Sequence, residues 1–428
     1  MKINIITLGC SKNTVDSENL AGQLSAAGHT VYFDRQKNDC DITVINTCGF
    51  IGDAKEESIN TILAQLAIKD NGRKSRRLVV AGCLVQRYRD EQQAEIPEVD
   101  AWFGANEWDA LTDYLADTTG SFTDRRQLST PPHYAYLKIA EGCNRQCSYC
   151  AIPLIRGAHR SRPIDDLVAE AKALVAKGVK ELIVISQDTT WYGLDLYHRR
   201  ALGELLERLA TESGAEWIRL HYTYPASFPD DAIAAIARHK NICNYIDIPL
   251  QHINSRILGS MQRGIDREGT LALLSKFRTA LPDAAIRTTL IVGYPGETDE
   301  DFDELKDFVR QARFDRMGCF AYSPEEGTAA ETLGDTVPDE VKQRRVSELM
   351  ALQEQISLEK NEARIGHVYR CIIDRCEGDN LIGRTEYDSP EVDDEVIIPQ
   401  SRGGIRPGDF VDVRITDAME NDLVGVLL

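Results

Sequence analysis

The 428-residue chain has no apolar run long enough to cross a bilayer. After Met1-Lys2-Ile3-Asn4-Ile5-Ile6 there is neither an extended apolar core nor a cleavage site, so no export signal and no membrane role are expected. Positive charge is scarce: 49 Lys and Arg against 68 Asp and Glu leave a net charge of −19. Such a chain is a poor general binder of nucleic acid, whose phosphates demand Lys and Arg contacts, and suits a basic partner better. No Ser/His/Asp or paired-carboxylate arrangement stands out as hydrolytic machinery.

What the chain does have is cysteine, eleven in all, and clustered. Without a secretion signal this points to a reducing cytoplasm and to metal ligation, not to a disulfide framework. The densest group is Cys143-Asn144-Arg145-Gln146-Cys147-Ser148-Tyr149-Cys150, a C-x3-C-x2-C spacing after the strand-like run Tyr134–Ala140. Three thiolates cannot pair off as disulfides without a remainder, but all three can reach one iron–sulfur cluster. Four-coordinate zinc would want a fourth ligand, and only His159 is near.

Residues 1–125 alternate strands (Lys2–Leu8, Asp41–Asn46, Leu78–Ala81, Trp102–Gly104) with helices (Asp16–Ala26, Ala54–Lys69, Asn106–Leu115). That alternation predicts a parallel, doubly wound sheet. Cys10, Cys48 and Cys83 each follow one of these strands, on the edge where open α/β sheets bind ligands. Three cysteines at equivalent positions suggest a shared cluster, with Gly9, Gly49 and Gly82 allowing close backbone approach. Turn-rich residues 118–133 mark a linker.

From Tyr134 to Ser323, six strand-like runs separated by helices predict a (β/α)6 partial barrel, two units short of a closed one and open to a large substrate. Polar residues at the strand ends are Gln187, Asp188, His221, Gln251, His252 and Ser323; the loop Gly293-Tyr294-Pro295-Gly296-Glu297-Thr298 follows the fifth strand. Each could equally serve a turn or a structural hydrogen bond. Arg156, Arg160 and Arg162 read either as carboxylate or cluster contacts or as a solvated basic face. A helix, Asp339–Glu362, leads to short alternating strands from Arg364 onward, the pattern of a small all-β barrel. Cys371 and Cys376 there read as structural. Between Asp374 and Glu395 stand nine acids against Arg375 and Arg384, a stretch expected to attract a cationic protein.

The cysteine loop resembles that of the radical S-adenosylmethionine (SAM) enzymes, and the whole chain resembles their methylthiotransferase family. The motifs are Thr7-Leu8-Gly9-Cys10-Ser11-Lys12-Asn13 with Asp16-Ser17-Glu18, Asn46-Thr47-Cys48-Gly49-Phe50-Ile51, Ala81-Gly82-Cys83, Cys150-Ala151-Ile152-Pro153, Asp247-Ile248-Pro249-Leu250-Gln251-His252 and the Gly293 loop. The resemblance implies a methylthiotransferase N-terminal domain (1–125), a radical SAM core (129–360) and a TRAM domain (361–428). Gly9-Cys10-Ser11-Lys12-Asn13 and the acidic TRAM stretch are similar to the RimO branch, which modifies the β-carbon of an aspartate in small-subunit ribosomal protein S12. The tRNA-modifying branch usually carries Gly-Cys-Gln-Met-Asn and a basic TRAM domain.

On this resemblance Cys143, Cys147 and Cys150 hold a 4Fe–4S cluster that binds SAM, and Cys10, Cys48 and Cys83 hold an auxiliary 4Fe–4S cluster that carries sulfur. Gln187, Asp188, Gln251 and Gly293 are candidate SAM contacts; no catalytic residue beyond the cluster ligands is implied. Partners would be the ribosomal protein, free or in the subunit, an electron donor and a sulfur source, with the enzyme a cytoplasmic monomer. The competing readings are a tRNA methylthiotransferase, a two-cluster electron carrier and a zinc-binding interaction protein.

Overall fold

The computed structural model of the chain describes residues 1–35, 39–70, 76–116, 126–399 and 403–428. Part of the expected linker, from Thr118 to Arg125, lies outside them.

The N-terminal body is a five-stranded parallel sheet, in the order Thr30–Phe33, Lys2–Thr7, Ile42–Thr47, Arg77–Gly82, Ala101–Gly104. Ile3, Ile5, Val44, Ile45, Val79 and Val80 are fully buried, as expected of parallel strands covered on both faces. The sequence reading lacked the edge strand Thr30–Phe33. The chain reverses its winding direction between Lys2–Thr7 and Ile42–Thr47, and Cys10 and Cys48 straddle that switch point. Cys10 is the N-cap of helix Ser11–Ala26, and Cys83 is the first residue of helix Cys83–Glu95. The positive helix ends therefore face the group these thiols would hold.

The central body has the six parallel strands expected: Tyr134–Lys138, Glu181–Ile185, Trp217–Leu220, Tyr245–Asp247, Ala285–Val292 and Arg316–Ala321. They form two three-stranded ladders joined where Trp217–Leu220 meets Tyr245–Asp247, through the bridge between Ile218 and Ile242. Ala135, Leu137, Leu182 and Val184 face the surrounding helices in one continuous apolar core. By strand alternation Tyr134, Tyr136, Ile183 and Ile185 face the barrel interior, where they form a separate cluster with Val15 of the N-terminal body.

Helix Asp339–Glu362 runs along the last barrel strand to a closed five-stranded barrel, Val368–Glu377, Asn380–Thr385, Glu395–Pro399, Asp422–Leu427, Phe410–Ala418. Cys371 is buried in its core among Ile373, Leu381, Val396 and Val413, as expected of a structural cysteine.

The acidic stretch corrects an expectation. Most of its carboxylates are turned inward on the central barrel's own donors. Asp388 accepts from Arg316, Asp393 from Tyr245 Oη (2.6 Å) and Arg287 Nε (3.2 Å), and Glu391 from Tyr134 Oη (2.8 Å) and Tyr136 Oη (3.3 Å). Asp394 lies 3.0 Å from Arg316, and Asp374 accepts from Arg384 Nε at 2.8 Å. Arg219 Nη1 donates to the Glu386 carbonyl at 2.7 Å, and Arg219 and Arg384 both pair with the fully buried Glu181. Segment 385–394 is thus a plug in the barrel interior. Most of its carboxylates find donors within the chain and are not displayed to a partner, because a buried carboxylate needs hydrogen-bond donors or countercharge beside it; Glu391 and Val392 at its tip stay exposed.

Candidate active site

All six cysteines of the two expected sets line a single cavity of about 330 Å³ between the N-terminal body and the carboxyl ends of the barrel strands. Each body contributes three. Gly9 makes one close approach possible: at φ +89°, a Cβ there would stand 2.7 Å from Cys48 Cβ. Gly142, before the cysteine loop, has φ +77° and its Cβ would fall 2.2 Å from the Ala158 carbonyl oxygen. Both positions need glycine for conformation and for space.

Burial pushes the Cys83 and Cys143 thiols up to about 11 and Cys150 up to about 12, with Cys48 also raised. Near neutral pH these groups are protonated, so loading with iron must displace protons. Donors already point at the sulfurs. Arg145 N–H reaches Cys143 Sγ at 3.4 Å, and Arg263 Nη1 reaches Cys147 Sγ at 3.4 Å. Such bonds tune a cluster's potential. The donor set fits clusters: two sets of three thiols each leave one iron of a four-iron cube open. Neither set of three thiols brings the fourth ligand that a tetrahedral structural zinc takes.

Gln187, Asp188 and Gln251 line the cavity. Gln187 Nε2 donates to Glu141 Oε1 at 2.6 Å, while its Oε1 is buried without a partner. Gln251 Oε1 and Arg263 Nε are likewise buried and unpaired, leaving an acceptor–donor set for a polar ligand. Asp188 is engaged: it accepts from Arg145 Nε (2.7 Å) and from Thr190 N–H (2.9 Å). Gly293 does not line the cavity. It packs on Lys342, and its N–H donates to Glu297 Oε2 at 2.9 Å. Its neighbour Tyr294 supports the cysteine loop instead, with its hydroxyl 2.9 Å from Ser148 Oγ.

His221 and His252 are structural. His221 lies 2.9 Å from Ser389 Oγ of the plug, and burial drives its pKa down to about 3. His252 Nδ1 accepts from Asn254 N–H at 3.0 Å. Of the three arginines after the loop, Arg160 is exposed and Arg162 pairs with Glu170. Arg156 is buried at the cavity wall, 2.8 Å from Asp16 and 3.4 Å from Glu141. Lys138 joins the same two carboxylates, tying the N-terminal helix to the barrel.

Sequence reasoning passed over Lys12, Tyr222, Tyr224 and Arg263, which also line the cavity. Lys12 lies two residues after Cys10, in Gly9-Cys10-Ser11-Lys12-Asn13. Arg145 and Arg263 sit 3.8 and 4.2 Å from the Tyr224 ring centre, a stacking that sequence spacing does not reveal.

Three family models match: the radical SAM superfamily over residues 137–309, an uncharacterized protein family (UPF0004) over 2–104, and the TRAM domain over 365–428. The chain is 56% identical to a ribosomal protein uS12 methylthiotransferase RimO from Flavobacterium johnsoniae, covering 99% of this chain and 97% of that protein. It is 52% identical to the protein of the same name from Bacteroides thetaiotaomicron, covering 100% and 98%. Among solved structures, the radical SAM methyltransferase TsrM from Kitasatospora setae shares the fold, with a TM-score of 0.55, 13% identity, and coverage of 74% of this chain and 72% of that one. With more than half its residues shared across nearly its full length, the chain belongs to the RimO family of ribosomal protein uS12 methylthiotransferases, within the radical SAM superfamily.

Proposed function

We propose that this protein is a radical SAM methylthiotransferase that inserts a methylthio group at the β-carbon of an aspartate of ribosomal protein S12. One observation carries the reading: six cysteines from two separate bodies face one cavity. Two 4Fe–4S clusters and SAM, when bound, supply the radical that removes hydrogen from an unactivated carbon, the sulfur, and the methyl group.

The chain's own residues do the rest. Cys143, Cys147 and Cys150 would hold the SAM-binding cluster, with Gln187, Gln251 and Arg263 offering unpaired polar atoms to SAM beside it. Cys10, Cys48 and Cys83 would hold the sulfur-carrying cluster across the cavity. Tyr149, Tyr222, Tyr224, Phe50, Ile152 and Ile155 make the wall largely apolar, which excludes water from a reactive intermediate. The plug 385–394 occupies the barrel interior beneath that cavity.

A tRNA substrate fits less well, since the net charge of −19 opposes a polyphosphate. The finer reading is a cytoplasmic monomer, divided at 1–125, 129–360 and 361–428, served by a one-electron donor and a sulfur source. Mass spectrometry of S12 after anaerobic incubation with reconstituted enzyme, SAM and reductant tests this. One added methylthio group on an aspartate is expected; modification of tRNA alone would overturn the assignment.

A further inference from the structure

The cavity wall carries four cations, and three are engaged. Arg145 is held by Asp188 and stacked on Trp191 and Tyr224. Arg156 is held by Asp16, Glu141 and Asn13. Arg263 donates to Cys147 Sγ, Tyr149 Oη and the Pro249 carbonyl, on the side of the Cys143 loop, and only its Nε is left unpaired. Lys12 is different. It is only 7% exposed, two residues after Cys10, and among the described residues its ammonium pairs with no carboxylate. Its one neighbour of note is the Tyr222 ring, whose centre is 2.9 Å from Nζ.

An ammonium on a buried side chain that opens only into a cavity, without a counter-ion, is costly unless a ligand there supplies the charge. Tyr222 is itself held in an unusual state. Its φ is +56°, rare for a bulky residue, and it is pinned by its N–H to Asp247 Oδ2 (2.9 Å) and by its hydroxyl 3.4 Å from Ser11 Oγ. Strain maintained by outside contacts at a cavity wall marks a positioned surface. Here it presents an aromatic face that holds the ammonium in place while leaving its N–H groups without an acceptor.

We infer that Lys12 is a specificity-determining residue that binds the side-chain carboxylate of the substrate aspartate, with Tyr222 as its positioning platform. The inference rests on the functional reading above. The target β-carbon must lie between the two cysteine sets, and its carboxylate is one bond away. Lys12, beside Cys10 on the auxiliary side, is the cavity cation free to meet it. A neutral side chain of the same shape, such as asparagine, would leave the ammonium unpaired and be rejected.

The test compares equilibrium binding of two proteins by the reconstituted holoenzyme: ribosomal protein S12, and S12 with its target aspartate changed to asparagine. A charge-assisted hydrogen bond predicts a preference for aspartate of roughly 10- to 100-fold. In Lys12→Met, which keeps length and loses charge, the preference should fall to about one, with KM for S12 rising by the same factor. Lys12→Arg should retain most of it. Iron and sulfide content per chain equal to wild type establishes that the variants are loaded. An undiminished aspartate preference in Lys12→Met would overturn the inference, as would no preference in the wild type, or a loss of SAM affinity with the preference intact. If wild-type holoenzyme fails to modify S12 at all, the functional reading itself fails, an outcome distinct from an active wild type matched by Lys12→Met.

Discussion

Replacing Arg156 with Met should loosen the joint between the N-terminal body and the barrel. The joint holds four charges: Lys138 and Arg156 against Asp16 and Glu141, with side-chain exposures of 12%, 2%, 4% and 18%. Burial alone would raise the Glu141 pKa, but Lys138 and Arg156 outweigh it and carry it down to about 2. Its contribution is therefore present above the ordinary carboxylate range, near pH 4, and lost only as pH falls toward 2, so at neutral pH the network is fully charged. Arg156→Met leaves two buried carboxylates on one lysine. Removing one partner of a buried pair costs about 3–5 kcal/mol, and the surviving Lys138 argues for the lower end, about 3 kcal/mol. That is roughly a 150-fold increase in opening of helix Ser11–Ala26. Hydrogen exchange of its amides, followed by mass spectrometry, reads this directly. Asp16→Asn in the same chain restores neutrality and should recover more than half of the loss, a coupling that a double-mutant cycle isolates. A change in exchange below about threefold, or additive losses in the double variant, would refute the argument from charge balance.

Cys10, Cys48 and Cys83 changed together to Ala should halve the iron content after reconstitution, and so should the Cys143, Cys147, Cys150 set; an unchanged iron content in either would remove that set from cluster binding. Gly9→Ala forces a side chain into left-handed backbone and onto Cys48, so it should mimic the loss of the N-terminal set in iron analysis while the barrel set stays loaded. Arg384→Met strips the buried Glu181 and Asp374 of a shared partner, at a cost of about 3 kcal/mol, and limited proteolysis should then release the C-terminal barrel faster. Asp394, buried and raised to about 7, favours the folded state most below pH 4 and progressively less as pH climbs to 7; Asp394→Asn should match wild type in thermal scans at pH 4 and melt higher at pH 8.

The cysteine sets were legible in the sequence because their signal is local. A strand, a glycine and a cysteine recur three times, and a loop with three thiols has few other uses. The six barrel strands were legible for the same reason, as apolar runs with helices between them. The strand Thr30–Phe33 escaped because it is short and only Val31 is buried. The charge network escaped because Asp16 and Arg156 meet across 140 residues, a distance periodicity does not span. The acidic stretch misled for a physical reason: composition counts carboxylates without showing which face buried arginines. A cue was present. Arg219 and Arg287 interrupt otherwise apolar strand runs, Trp217-Ile218-Arg219-Leu220 and Ala285-Ile286-Arg287, and a guanidinium inside a buried strand requires a buried acceptor.

The plug gives the order of synthesis a structural meaning. Both cysteine sets and all six barrel strands leave the ribosome before residues 385–394 are made. Until then Glu181, Arg219 and Arg287 inside the barrel lack their C-terminal partners, and water can fill the space that Ser389, Glu391 and Asp393 later occupy. The late-made segment acts as a stopper fitted after the vessel is built. Damage to it would be felt as a leak in a reaction chamber whose walls are still intact.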